Sequence, residues 1–211
     1  MGGMTSVASL VDLIRQPIKK FMGTLAGLLN RLSGGRITPT SVTLTGFVMH
    51  LVIAYLIARQ QFVIAGLLLI FFGLFDALDG ALERLQKNDG PKGMFLDSVT
   101  DKIKEAVLYT SAAYALVASG ETYIAVWAAA ASGAALLVSY TNAWGEVALN
   151  ALPKGHQRNR SFRTGLMQFD VRITIFIAGL LFNQLPAAII IIAIGALLTA
   201  LGRAISVMKK L

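Results

Sequence analysis

The chain contains no cysteine, only two histidines and little charge, and each shortage removes a class of protein. Without cysteine there is no disulfide framework, no thiol nucleophile and no Cys-based zinc site. His50 and His156 stand too far apart in the sequence to show metal-ligand spacing. Charged residues make up 14% of the 211 positions, against about 25% in an ordinary soluble domain. Internal repeats, low-complexity tracts and an appended soluble domain are also lacking. What remains is 55% hydrophobic, with a mean hydropathy of +0.67. That composition belongs in a bilayer, and the length suits one unit of several spanning helices.

The net charge of +8 does not imply nucleic acid, because the basic residues flank apolar runs, where they meet anionic lipid and set orientation. Asp12, Arg15, Lys19 and Lys20 interrupt the N-terminal apolar residues, so no signal peptide is expected. Residues 5–33 read as an amphipathic helix with Leu10, Ile14, Ile18, Phe21, Leu25, Leu28 and Leu32 on one stripe. Arg15, Lys19 and Arg31 lie off it, and Pro17 predicts a kink or break. Such a helix lies in the membrane interface.

Six spans are expected after it, at about 40–58, 63–86, 93–119, 122–149, 168–184 and 187–207. Short breaks separate them at Arg59-Gln60-Gln61, Gly120-Glu121 and Asn183-Gln184-Leu185-Pro186. Eighteen of the nineteen Lys and Arg residues fall on the side opposite those breaks, with Arg59 the exception. The positive-inside bias therefore places both termini in the cytoplasm. The expected fold is an all-α membrane protein of six transmembrane helices, with residues 1–38 as the interfacial segment and 39–211 as the spanning domain.

The second and third spans carry charge that a hydrocarbon core should exclude. Asp76 and Asp79 are three apart and share a helix face with Gly80 and Glu83. Asp97 and Asp101 are four apart, in line with Gly93. The 87–92 connection is short, so the two helices are antiparallel neighbours whose acidic faces can meet. Each ionised aspartate at such depth costs about 3 kcal/mol, and four facing carboxylates repel. Divalent cations resolve both problems, and a carboxylate-only donor set favours Mg²⁺ or Mn²⁺. Two such ions can hold a diphosphate for in-line attack. Glycines at 80 and 93 leave room for a bulky ligand, and Arg84 is placed to contact its phosphate. Taken alone, this constellation also admits pairing with Arg84, Lys102 and Lys104, or a cation channel or transporter.

Residues 76–101 read D-A-L-D-G-A-L-E-R, then eight residues, then G-M-F-L-D-S-V-T-D. The pattern resembles the CDP-alcohol phosphotransferase signature D-x2-D-G-x2-A-R-x8-G-x3-D-x3-D, with every spacing kept. Glu83 stands where the signature has Ala. Thr38-Pro39-Thr40-Ser41-Val42-Thr43 is similar to the family's T-P-N-x-x-T opening, with Thr40 in place of Asn.

The resemblance implies a six-helix fold and transfer of a substituted phosphoryl group from a CDP-linked donor to an alcohol, with release of CMP. It implies Asp76, Asp79, Asp97 and Asp101 as holders of two divalent ions, with Asp101 as the base for the acceptor hydroxyl. Gly80, Arg84, Gly93 and Thr43 would bind the cytidine diphosphate portion. The similarity runs closest to prokaryotic members that make phosphatidylinositol phosphate or its archaeal counterpart, through Ser139-Tyr140 and Glu146 among other residues. In those relatives basic residues hold the acceptor's phosphate, and Arg172 and Arg203 match two of them.

The third lies in an S-Y-x-K-A-R-x-E pattern where this chain reads S-Y-T-N-A-W-G-E, so Asn142 and Trp144 replace two cations. The implied donor is CDP-diacylglycerol or CDP-archaeol. The acceptor is a small polar alcohol: inositol phosphate first, then glycerol phosphate, with serine and inositol open. Location in a prokaryotic cell membrane, a cytoplasm-facing active site, contact with membrane lipids and a homodimer complete what the resemblance implies.

Overall fold

The computed structural model describes residues 20–86, 90–151 and 165–211, with Asp76 described by its backbone alone. The expected amphipathic stretch before residue 20, the 87–89 part of the second connection and the basic run at 152–164 lie outside the described residues. Within them every regular element is a helix and there is no strand. The elements are α1 at 20–32, then α2 (Pro39–Ala58), α3 (Phe62–Gly73), α4 (Phe75–Gln86), α5 (Pro91–Ala118), α6 (Thr122–Asn150), α7 (Phe169–Leu181) and α8 (Leu185–Met208).

The short breaks read from the sequence close by one device. Gln60, Gly120 and Asn183 each adopt a positive φ (58°, 85° and 55°). The next residue then donates its N–H five positions back: Gln61 to Leu56, Glu121 to Leu116, and Gln184 to Gly179, at 2.7–2.9 Å. This is the left-handed helix stop that satisfies orphan carbonyls at a helix end. At the other end of α2, Thr38 caps through Oγ1, which accepts the Ser41 N–H at 3.2 Å, with Pro39 in the first helical position.

Two of the expected spans are not single long helices. The span expected over 63–86 is divided, because Leu74 forms a turn between α3 and α4. Around it the ladder tightens to three-residue bonds, Leu74 N–H to Phe71 and Ala77 N–H to Leu74. Gly73 weakens the helix there, and the Phe71, Phe72 and Phe75 rings cluster across the break at 5.0–6.0 Å. The 168–184 segment yields only thirteen helical residues in α7, about 20 Å of rise. Among the described residues four stretches are long and apolar enough to cross a membrane: Pro39–Ala58, Phe62–Gln86, Thr122–Asn150 and Leu185–Met208. In α5 the length suffices, but the stretch from Pro91 to Glu105 carries Lys92, Asp97, Asp101, Lys102, Lys104 and Glu105.

The chain forms two compact units. The first holds the residues up to His50 together with Ile70–Asp101. Its core packs Met22 and Ala26 of α1 against Val42 of α2 and Leu78, Ala81 and Leu82 of α4. Gln86 ties the same elements, its Nε2 donating to Asn30 Oδ1 and to the Ile37 carbonyl, both at 2.9 Å.

The second unit holds Leu51–Leu69 and Lys102–Leu211. There α6 and α8 approach through small residues, with Ala134, Val138, Ala196 and Ala200 buried together beside Met167. Small side chains let two backbones come close enough for dispersion to act along their length. The α7–α8 turn is tighter still: a Cβ built on Gly179 would collide with that of Ala188.

The helix stops generate a stability prediction. Gln60 is an L-residue in a left-handed conformation that costs about 1–2 kcal/mol relative to the right-handed one. Gln60→Gly should raise the thermal unfolding midpoint of the detergent-solubilised protein, and Gln60→Val should lower it.

Candidate active site

In the first unit the beginning of α2, the middle of α4 and the beginning of α5 enclose a cavity of about 550 Å³. Asp79, Gly80 and Glu83 of α4 lie on its wall beside Lys92, Gly93 and Asp97 of α5, and α2 contributes Pro39, Thr40 and Thr43. Asp79 is 6% exposed. Its carboxylate is held from two sides: Thr43 Oγ1 donates to Oδ2 at 2.7 Å, and the Gly80 N–H donates to Oδ1 at 2.6 Å. Thr43 is itself placed by α2, its hydroxyl also lying 3.1 Å from the Pro39 carbonyl. The role of the T-P-x-x-x-T segment is therefore concrete: it starts α2 and turns a hydroxyl onto the aspartate of another helix.

Five residues singled out from the sequence thus converge on one cavity: Thr43, Asp79, Gly80, Gly93 and Asp97. Asp97 is exposed into it, and Asp101, one turn further along α5, is partly buried. Asp76 sits on α4 one turn before Asp79. Among the described residues no three His, Cys, Asp or Glu side chains form a metal-holding group. The donor chemistry of the cavity wall nonetheless suits a hard divalent cation, because Asp79, Asp97 and Thr43 offer oxygen alone. Arg84 is exposed on α4, with Nη1 turned back to 3.6 Å from where a Cβ on Gly80 would lie.

The residues matched to the acceptor lie in the second unit, where the Gly165–Met167 stretch links two of them. Arg172 of α7 is 1% exposed. It donates Nε and Nη2 to the two oxygens of Glu105 at 2.6 and 2.9 Å, and Nη1 to the Met167 carbonyl at 2.8 Å. The Met167 N–H donates to Thr199 Oγ1 on α8 at 3.1 Å. One turn beyond Thr199, Arg203 places Nη1 3.0 Å from the Val138 carbonyl of α6, and its Nε lies 3.7 Å from a Cβ built on Gly165. Val138 is one turn before Asn142, whose Oδ1 is buried with no hydrogen-bond partner. Trp144 is exposed, and its ring lies tilted against that of Tyr140 with centroids 6.1 Å apart.

Glu105 is the residue that reading the sequence passed over. It continues the 97/101 stripe by one more helical turn, which is the signal that could have found it. Lys102 Nζ lies 2.8 Å from its Oε2, so this lysine answers Glu105. Lys102 also stands 5.2 Å over the Phe169 ring, and the Tyr109 hydroxyl donates to Oε1 at 3.1 Å.

A helical chain with an oxygen-lined, glycine-walled cavity at the meeting of three helices has the makings of a phosphoryl-transfer site. The family model of CDP-alcohol phosphatidyltransferases matches residues 36–209. The chain belongs to that family and is an enzyme of the phosphotransferase class, which removes the channel alternative. It is 28% identical over 199 residues to the archaetidylinositol phosphate synthase of Pyrococcus horikoshii, covering 94% of each. It is 31% identical over 162 residues to a bifunctional IPC transferase and DIPP synthase of Rubrobacter xylanophilus, covering 76% of this chain and 34% of that one. The fold is shared with Mycobacterium tuberculosis phosphatidylinositol phosphate synthase bound to CDP-DAG, at TM-score 0.75 and 20% identity over 89% of this chain and 94% of that one. A second structure of that synthase, with manganese and citrate, matches at TM-score 0.75 and 20% identity over 89% and 88%.

The Glu105–Arg172 pair predicts a characteristic asymmetry. Breaking a buried pair strands the surviving charge and costs about 3–5 kcal/mol, whereas replacing both members by apolar residues is often close to neutral. Glu105→Ala should therefore depress the unfolding midpoint more than Glu105→Met combined with Arg172→Leu.

Proposed function

We propose that the protein transfers a phosphatidyl group from CDP-diacylglycerol, or its ether-linked archaeal equivalent, to a hydroxyl of a polyol phosphate, inositol phosphate first. The observation that carries this is the cavity lined by Asp79, Gly80, Gly93 and Asp97, with the Thr43 hydroxyl holding Asp79 in place. Support for the acceptor comes from the archaetidylinositol phosphate synthase, matched over 94% of both chains.

In the reaction the acceptor oxygen attacks the phosphorus that bears the diacylglycerol. Its bond to the bridging oxygen breaks, and CMP leaves with that electron pair. Asp101 takes the proton from the attacking hydroxyl, a task for which a carboxylate next to the reacting oxygen is suited. Asp76, Asp79, Asp97 and Asp101 are the residues that would hold two Mg²⁺ or Mn²⁺ ions. When bound, such ions would withdraw charge from the diphosphate and stabilise the departing CMP. Thr43 and the Gly80 N–H keep the Asp79 oxygens oriented, so the carboxylate need not reorganise when the donor arrives.

Gly80 lets the diphosphate approach the backbone, Gly93 borders the nucleoside portion, and Arg84 meets a diphosphate oxygen. At the acceptor, Arg203 and Arg172 supply positive charge for the phosphate. Of the two, Arg172 already shares its charge with Glu105. The unpartnered Asn142 oxygen accepts from an acceptor hydroxyl. In this reading six helical passes, both termini in the cytoplasm, a cytoplasm-facing site and a homodimer in a prokaryotic cell membrane belong together.

The test is CMP release from CDP-diacylglycerol, with inositol phosphate, glycerol phosphate, serine and inositol supplied in turn. Inositol phosphate should give the highest rate. Removing divalent ions with a chelator should abolish turnover and Mg²⁺ or Mn²⁺ should restore it. Asp97→Asn should lower the rate by at least about a thousandfold, with the unfolding midpoint close to wild type. Equal rates with all four acceptors, or full activity in Asp97→Asn, would refute the reading.

A further inference from the structure

Glu83 is a carboxylate on the wall of the donor cavity at a position where the family signature has alanine. Its Oε1 leans on the start of α5, so that a Cβ built on Gly93 would stand only 2.5 Å from it. Among the described residues Glu83 has no hydrogen-bond or ion-pair partner. Glu83 lies four residues beyond Asp79 on α4, and Gly93 four residues before Asp97 on α5. Together they make a layer about 6 Å, one helical turn, from the aspartate layer.

An ionised carboxylate only accepts hydrogen bonds, so the group it meets must carry N–H or O–H. Taking the donor-site reading above as its basis, the parts of a CDP-linked lipid can be sorted by that rule. Acyl or ether chains have no donors, and an ionised diphosphate has none and repels Glu83. The nucleoside has both kinds, in the amino group of the base and in the ribose hydroxyls. It is also the part that extends one turn from the phosphates. Lys92 lines the same cavity and offers an ammonium to the base carbonyl or ring nitrogen.

We propose that Glu83 is a specificity residue that accepts a hydrogen bond from the nucleoside of the donor, at the base amino group or a ribose hydroxyl. The reaction itself does not need it, since alanine serves the family signature at this position. What Glu83 adds is discrimination: a nucleotide without the matching donor leaves this carboxylate desolvated and unanswered.

The experiment measures competition by CDP, UDP and 2′-deoxy-CDP for the full-length detergent-purified protein in Mg²⁺, read as inhibition constants and as ligand-induced shifts of the unfolding midpoint. Wild type should prefer CDP, and Glu83→Ala should lose roughly tenfold of that preference. The loss falls against UDP if the base amino group is read, and against 2′-deoxy-CDP if a ribose hydroxyl is read. Glu83→Gln, which keeps one acceptor oxygen, should fall between.

A role confined to stabilising the N-terminus of α5 would move the midpoint of the free protein and leave the nucleotide ratios unchanged. Unchanged ratios in Glu83→Ala, with wild type still preferring CDP, would overturn the proposal and spare the donor site. Wild type blind to all three nucleotides would overturn the donor-site reading and this proposal with it.

Discussion

A charge placed among apolar helices must be answered by another group, and the polar architecture of this chain follows from that constraint. The cost of leaving a carboxylate unpaired in such a place exceeds what any single apolar contact returns. Two solutions appear. Glu105 is answered within the protein, by both arms of the Arg172 guanidinium, by Lys102 and by the Tyr109 hydroxyl. Asp79 is answered by a threonine hydroxyl and a backbone N–H. Those two donors hold both carboxylate oxygens in a fixed direction. The first solution joins α5 to α7, and the second joins α2 to α4.

The same contrast separates the two groups of predicted site residues. The aspartate cavity belongs to the unit formed by residues up to His50 and Ile70–Asp101. Its floor is laid by local rules: a threonine-capped α2 start, and glycines spaced one turn from aspartates on α4 and α5. The acceptor-matched residues are held by longer reach. Arg172 and Glu105 are 67 positions apart, and Arg203 and Val138 are 65 apart. The Gly165–Met167 stretch can serve as a link because Met167 spends both its backbone groups, N–H on Thr199 and carbonyl on Arg172. Departures from the family pattern fall in both places. Asn142 exchanges a cation for a buried acceptor oxygen, and Glu83 adds an acceptor where the family needs only bulk of a methyl. Each change adds a hydrogen-bond acceptor, which is the chemistry of reading hydroxyl or amino groups.

Much of this was legible beforehand, for a physical reason that applies residue by residue. Helix periodicity is intrinsic to the backbone, so three- and four-residue spacings place Asp76 with Asp79 and Asp97 with Asp101 wherever those helices go. Gly120 and Asn183 tolerate a left-handed φ, so the breaks they mark could be read locally, as could the Thr38-Pro39 start of α2. The spacing of the family signature determined the reaction class. Which group answers which charge depended on contacts between segments far apart in the chain, and no local pattern encodes those. Tertiary structure alone decided that Arg172 is bound up with Glu105, that the Asn142 oxygen is buried without a partner, and that Glu83 rests on Gly93. Spacing sets what a helix face offers, and only packing of one helix against another decides what that face meets.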